Sequence, residues 1–135
     1  MEDRRTFLAL AAALFPASLM TLAAQTPSPS GPRELARHTL SGPLDGLDAI
    51  LLELHPAPGQ GREHRHTGPV LAYVLEGKVR FGVDHGAERI IAAGETFFEP
   101  TGALHSTFGS ADPNTMARVL VFMVVPKGTS GTTAA

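Results

Sequence analysis

Cysteine is absent from this chain. That excludes disulfides, thiolate-bound zinc and cysteine nucleophiles together, so any metal must be held mainly by nitrogen and oxygen. An excess of charge of either sign is also missing. The formal net charge is -2, and beyond the first residues no run of lysine or arginine carries interleaved aromatics. A nucleic-acid or membrane-surface partner therefore has no electrostatic support, and a small neutral or anionic ligand is the expected partner. A long unbroken apolar run is lacking too. The stretch from Phe7 to Ala24 is interrupted by Pro16 and Ser18 and built on alanine rather than leucine, which suits a removable h-region better than a stable membrane span. No internal repeat is visible.

What is present begins with a leader. Arg4 and Arg5 followed by Phe7 and Leu8 resemble the twin-arginine export motif, with Asp3 where that motif usually carries Ser or Thr. The resemblance implies a bacterial protein exported folded, to the periplasm or beyond, often with its cofactor already loaded. Small residues up to Ala23 and Ala24 suit a signal peptidase. The expected organisation is an export signal over 1–24, a proline-rich flexible linker over 25–34, one folded domain over 35–127 and a disordered, frayed tail over 128–135. Roughly 110 mature residues leave room for one core.

Short strands dominate that domain. Leu47 to His55 is apolar and of strand length, and the loop residues Pro56 to Gly61 end it. Val70 to Leu75 and Lys78 to Val83 read as two strands of a hairpin turning at Glu76-Gly77, and His85-Gly86 as a second hairpin turn. Glu88 to Ala92, Thr96 to Glu99, His105 to Phe108 and Met116 to Val125 supply the rest. Strands and turns at this spacing predict an all-β sandwich or barrel. The strongly apolar last strand reads as buried on both faces or covered by a partner, hence a homodimer.

Three histidines carry the chemistry. His64 and His66 form an H-x-H pair, which on a strand throws both imidazoles to one side, about 7 Å apart at Cα. His105 lies downstream in Pro-Thr-Gly-Ala-Leu-His. His64-x-His66, three residues, Val70, six residues and Gly77 resemble the first cupin motif. Gly94, five residues, Pro100-x-Gly102, two residues, His105, three residues and Gly109 resemble the second. The resemblance implies an antiparallel jelly-roll barrel with a divalent transition metal at its mouth, held by His64, His66 and His105. Imidazole ligation admits iron, zinc, copper, nickel or manganese and disfavours magnesium and calcium, which want oxygen.

Three family positions are not kept. The opening glycine falls on Pro58, with Gly59 one residue late; the metal-binding glutamate falls on Val70; the closing asparagine is Gly109. Glu99, just before the Pro-x-Gly turn, is the candidate replacement carboxylate, expected to approach from the side opposite Val70. Glu63 should point away from the site by strand alternation. His38, His55 and His85 fall outside both motifs and are expected to be structural or exposed. Phe97, Phe98, Phe108 and Tyr73 are expected in core or interface packing, some of them lining the pocket. Gly77, Gly94 and Gly102 are expected at turns with positive φ. Three readings of function follow: a mononuclear metal-dependent dioxygenase of a small organic substrate, a non-catalytic module that captures a small ligand or metal, and an isomerase or lyase that lacks an obvious general base.

Overall fold

The computed structural model describes residues 31–135, so the expected export signal and most of the expected linker lie outside the described residues. Among the described residues ten strands are formed: β1 (Arg33–Thr39), β2 (Leu47–Leu54), β3 (His64–His66), β4 (Val70–Glu76), β5 (Lys78–Val83), β6 (Arg89–Ala92), β7 (Thr96–Glu99), β8 (Leu104–Ser110), β9 (Arg118–Pro126) and β10 (Thr132–Ala134). They build two five-stranded antiparallel sheets, ordered β1-β2-β9-β4-β7 and β10-β3-β8-β5-β6, packed face to face as the expected jelly-roll. No helix among the described residues is long and apolar enough to cross a membrane.

The period-two pattern decides which side chains meet between the sheets. In β9, Val119, Val121, Met123 and Val125 are buried and alternate with residues facing outward; Ile50, Val70, Ala72 and Val74 join them from the same sheet. Val79, Phe81 and Ile91 answer from the other sheet. Full burial of a valine or isoleucine contributes roughly 1.5–3 kcal/mol, so this inner face supplies the bulk of the stability. The expectation that β9 is buried on both faces is corrected. Its outward residue Phe122 is 43% exposed, because no layer among the described residues covers the second face of this antiparallel sheet.

Other expectations are corrected too. β4 and β5 do not form a hairpin: they sit in different sheets, and Gly77, at φ 74, turns the chain from one to the other. The hairpin at His85-Gly86 is real, joining β5 to β6, with Asp84 and His85 both at positive φ. That conformation is held from outside, since Asp84 Oδ1 accepts the Leu104 N–H at 2.9 Å and the Ser106 hydroxyl accepts the His85 N–H at 3.0 Å. β1 begins at Arg33, inside the expected linker. The tail is not frayed, because β10 pairs with β3 and covers what would otherwise be an open strand edge.

Gly109, where the family carries asparagine, has a steric cause. A Cβ there would stand 2.0 Å from the Gly59 carbonyl oxygen, because the loop before β3 lies directly on β8. Gly109→Asn is therefore expected to cost about 1–3 kcal/mol through overpacking, lowering the melting temperature by about 4–8 °C per kcal/mol. A thermal melt of the metal-free protein checks this, and an unchanged midpoint would refute the packing account.

Candidate metal centre

β3 is only three residues long, yet its alternation is enough to aim His64 and His66 into the space between the sheets while Arg65 turns outward to donate to the Gly102 carbonyl at 2.7 Å. Across the β3–β8 ladder His64 is the direct partner of His105. The three imidazoles converge, each with one ring nitrogen within 4.8 Å of the others.

The hydrogen bonds around two of the rings leave them poised to hold a cation. His64 Nδ1 faces the Arg62 carbonyl at 2.8 Å and His66 Nδ1 faces the Gly131 carbonyl at 3.3 Å. A carbonyl only accepts, so both Nδ1 atoms carry the proton and donate. Both Nε2 atoms are then bare in the neutral rings, and they stand 3.1 Å apart. Two lone pairs at that separation need a positive charge between or beside them. Burial holds His66 down to about 4, helped by the neighbouring His64; burial also holds His105 down to about 3, with His64 and His66 adding to it. The two buried rings are therefore neutral at physiological pH, as metal ligands must be.

Polar atoms without partners make the same point. His105 Nδ1, His105 Nε2 and Glu99 Oε2 are buried with no hydrogen-bond partner among the described residues, a combination that calls for an ion or solvent. The donor set, three imidazoles beside a carboxylate, fits a borderline transition metal. Glu99 does not approach from opposite Val70, as expected, but from beside it. β7 pairs with β4 so that Glu99 and Val70 are direct cross-strand partners, both pointing inward. Burial pushes the Glu99 carboxyl up to about 7.

The rest of the cavity is apolar. Its volume is about 180 Å³, and Leu52, Leu54, Val121, Met123, Phe97 and Phe108 form much of its wall, with no lysine or arginine among the lining residues. Tyr73 and Phe98 face outward instead, Phe98 being 56% exposed. Glu63 stays outside the site, as alternation predicts, with His85 Nδ1 at 3.6 Å. His55 stands 3.3 Å from Glu53, and His38 is exposed. Gly77, Gly94 and Gly102 all have positive φ, the expected turn geometry.

One contributor was invisible in the sequence. The turn before β10 supplies the Gly131 carbonyl and the first residue of β10 the Thr132 hydroxyl, both within 3.3 Å of His66 Nδ1. Gly131, at φ 75, makes the bend that brings them there. Such outer partners fix the tautomer and orientation of a ligating histidine. Deleting residues 131–135 is expected to weaken metal affinity by about 10–100-fold, measured by competition with a chromophoric chelator; an unaltered affinity would show that the tail is ornamental.

Comparison with known proteins agrees with this fold. The family model Cupin_2, described as "Cupin domain", matches residues 50–124, more than half of the chain. The protein belongs to the cupin family. Among solved structures it is similar to the DMSP lyase DddQ from Ruegeria pomeroyi DSS-3, at 21% identity and a TM-score of 0.52 over 67% of this chain and 44% of that one. A conserved protein with a double-stranded β-helix domain from Klebsiella pneumoniae is similar at 19% identity and a TM-score of 0.55, covering 82% of this chain and 89% of that one. An oxalate oxidase in complex with glycolate is similar at 20% identity and a TM-score of 0.54, covering 80% and 57%. These likenesses show the fold. The chain spans less than half the length of the lyase. No curated protein matches the sequence.

Proposed function

We propose that this protein is an exported metal-dependent oxidoreductase, a dioxygenase of small organic molecules, with His64, His66 and His105 as metal ligands. A bound transition metal supplies Lewis acidity and, for iron or copper, oxygen chemistry at the positions the protein leaves open. The observation that carries the reading is the placement of three converging imidazoles, with Glu99 beside them, in the wall of a largely apolar cavity of about 180 Å³. An apolar cavity of roughly 150 Å³ admits benzene, so the substrate here is a single ring or a short chain. The structurally similar oxalate oxidase and DMSP lyase support a small-molecule substrate. The lining argues against a compact dianion such as oxalate, because no arginine or lysine is present to take the second charge. A monoanionic or enolisable compound with an apolar body fits best: its oxygen faces the histidines, and its body packs on Phe97, Phe108 and Met123 while excluding water. The arginine pair and h-region of the leader support export.

The test is oxygen uptake by iron- or copper-loaded protein given phenolic, diketone or thiol substrates. Turnover dependent on the metal supports the reading; tight ligand or metal binding with no turnover in oxidase, hydrolase or isomerase assays moves the protein to the second reading, a capture module. What favours that alternative is the lack of any acid or base in the cavity wall besides the three histidines and Glu99.

The proposal includes a homodimer. Leu51, Phe122, Leu71 and Phe98 align in register across four strands on the outer face of one sheet, an apolar row of the kind that a second subunit covers. Light scattering should return twice the chain mass, and a monomer at high concentration would remove the claim.

A further inference from the structure

Val70 removes the glutamate that the first cupin motif places on β4, and the barrel has a second acid in the same place. We propose that Glu99 is a fourth metal ligand, a carboxylate moved from β4 to its neighbour β7 and delivered to the same point of the cavity. The inference deepens the three-histidine reading and rests on it.

The register carries the argument. Val70 and Glu99 face each other across the β4–β7 ladder, so their Cβ atoms are about 4.5–5.5 Å apart, and each is 1% exposed. Glu99 occupies an edge strand, where an acid would ordinarily turn to solvent or an arginine. Instead, its Oε2 is buried with no hydrogen-bond partner. Its oxygens stand 3.1 Å from His105 Nδ1 and 3.8 Å from His66 Nε2. Ligand atoms held about 2.1 Å from one ion are roughly 3–4 Å from each other, so both separations fit neighbours in one coordination shell, with His105 ligating through Nδ1. The closer contact is not a hydrogen bond in disguise, since His105 Nδ1 has no aligned partner. The surrounding wall, Val70, Phe97 and Met123, offers the carboxylate no other cation.

Bringing one anion to three neutral imidazoles lowers the formal charge of a divalent site from that of the bare ion by one. Such a site binds its metal more tightly and attracts an anionic substrate less strongly than three histidines alone.

Two variants test the assignment with Zn²⁺ and Co²⁺ as probes: Glu99→Gln, and the exchange Val70→Glu with Glu99→Val. In competition with a chromophoric chelator, Glu99→Gln should bind one Zn²⁺ at least about 100-fold more weakly than the unaltered protein. The exchange should recover affinity to within about tenfold, because it returns the carboxylate to the same spot from the other strand. The Co²⁺ absorption spectrum should shift in Glu99→Gln and return in the exchange. Unchanged Zn²⁺ affinity in Glu99→Gln overturns the proposal, as does a folded exchange variant that stays as weak as Glu99→Gln, which would make Glu99 a positioning group. Should Glu99→Gln fail to fold, the exchange alone decides, since tight Zn²⁺ binding there requires a carboxylate at this point of the cavity. The His66→Ala variant separates the two levels: metal lost there with Glu99→Gln unaffected leaves the three-histidine reading intact and removes only the fourth ligand.

Discussion

His66→Ala is expected to reduce bound metal from one ion per chain to none while the barrel stays folded. His66 sits deepest of the H-x-H pair, buried on β3 with its Nδ1–H committed to the tail carbonyl and its Nε2 facing that of His64 at 3.1 Å. Removing it leaves half-buried His64, His105 and, if it ligates, Glu99, and takes away the imidazole that the tail carbonyl orients, so the weakened set loses the ion in competition with a chelator. The fold should survive because β3 is held by β8 and β10 through its backbone, and because the substitution deletes one of two opposed lone pairs. Elemental analysis alongside a thermal melt reads both halves. Unchanged metal content would refute the ligand assignment, and with it the function proposed above.

Stripping the metal should produce the largest stability effect. An ion that binds only the folded state stabilises it by about 4.1 kcal/mol when free metal is 1,000 times the dissociation constant. For a domain of this size that is a melting-temperature difference of about 15–30 °C between loaded and chelated protein. The metal-free protein should in addition be acid-sensitive, with a sign that follows from the buried groups. His66 and His105 have folded values of about 4 and 3, below the ordinary 6.5, so the unfolded chain binds more protons between those limits and stability rises with pH up to about 6.5. Glu99, raised to about 7, works in the opposite direction between 4.5 and 7. Two histidines against one carboxylate leave a net gain to about pH 6.5, then a small loss towards 7. Melting temperatures of chelated protein across pH 4 to 8 check this; a flat profile would contradict the burial of the two rings.

The parts of this molecule that follow from local spacing were legible in the sequence. The alternation of Val119, Val121, Met123 and Val125 has one reading on a strand, and H-x-H places two rings on one side wherever the strand lies. Turn glycines at 77, 94 and 102 announced positive φ, which the backbone confirms. The spacing of both histidine motifs pointed to the barrel that the family match shows.

What failed to be legible depends on which strands become neighbours. Glu76-Gly77 looks like a hairpin because a two-residue turn between apolar strands usually is one, yet here the chain crosses between sheets. Thr132 to Ala134 has no apolar period at all; it is a strand only because β3 offers an unpaired edge. Gly109 looks like a lost functional residue and is a packing contact, visible only once the Gly59 carbonyl is in place.

The sequence by itself determined an all-β chain in which His64 and His66 leave β3 on one side, because side-chain direction on a strand depends only on residue parity; that His105 joins them was implied by the motif resemblance and is brought about by the β3–β8 register. Tertiary structure alone decided that Glu99 stands beside Val70, that the tail orients His66, and that Phe122 and Phe98 share one outward face. Each of these rests on a pairing between strands far apart in the chain, and hydrogen-bonded register between distant strands leaves no periodic trace in either one.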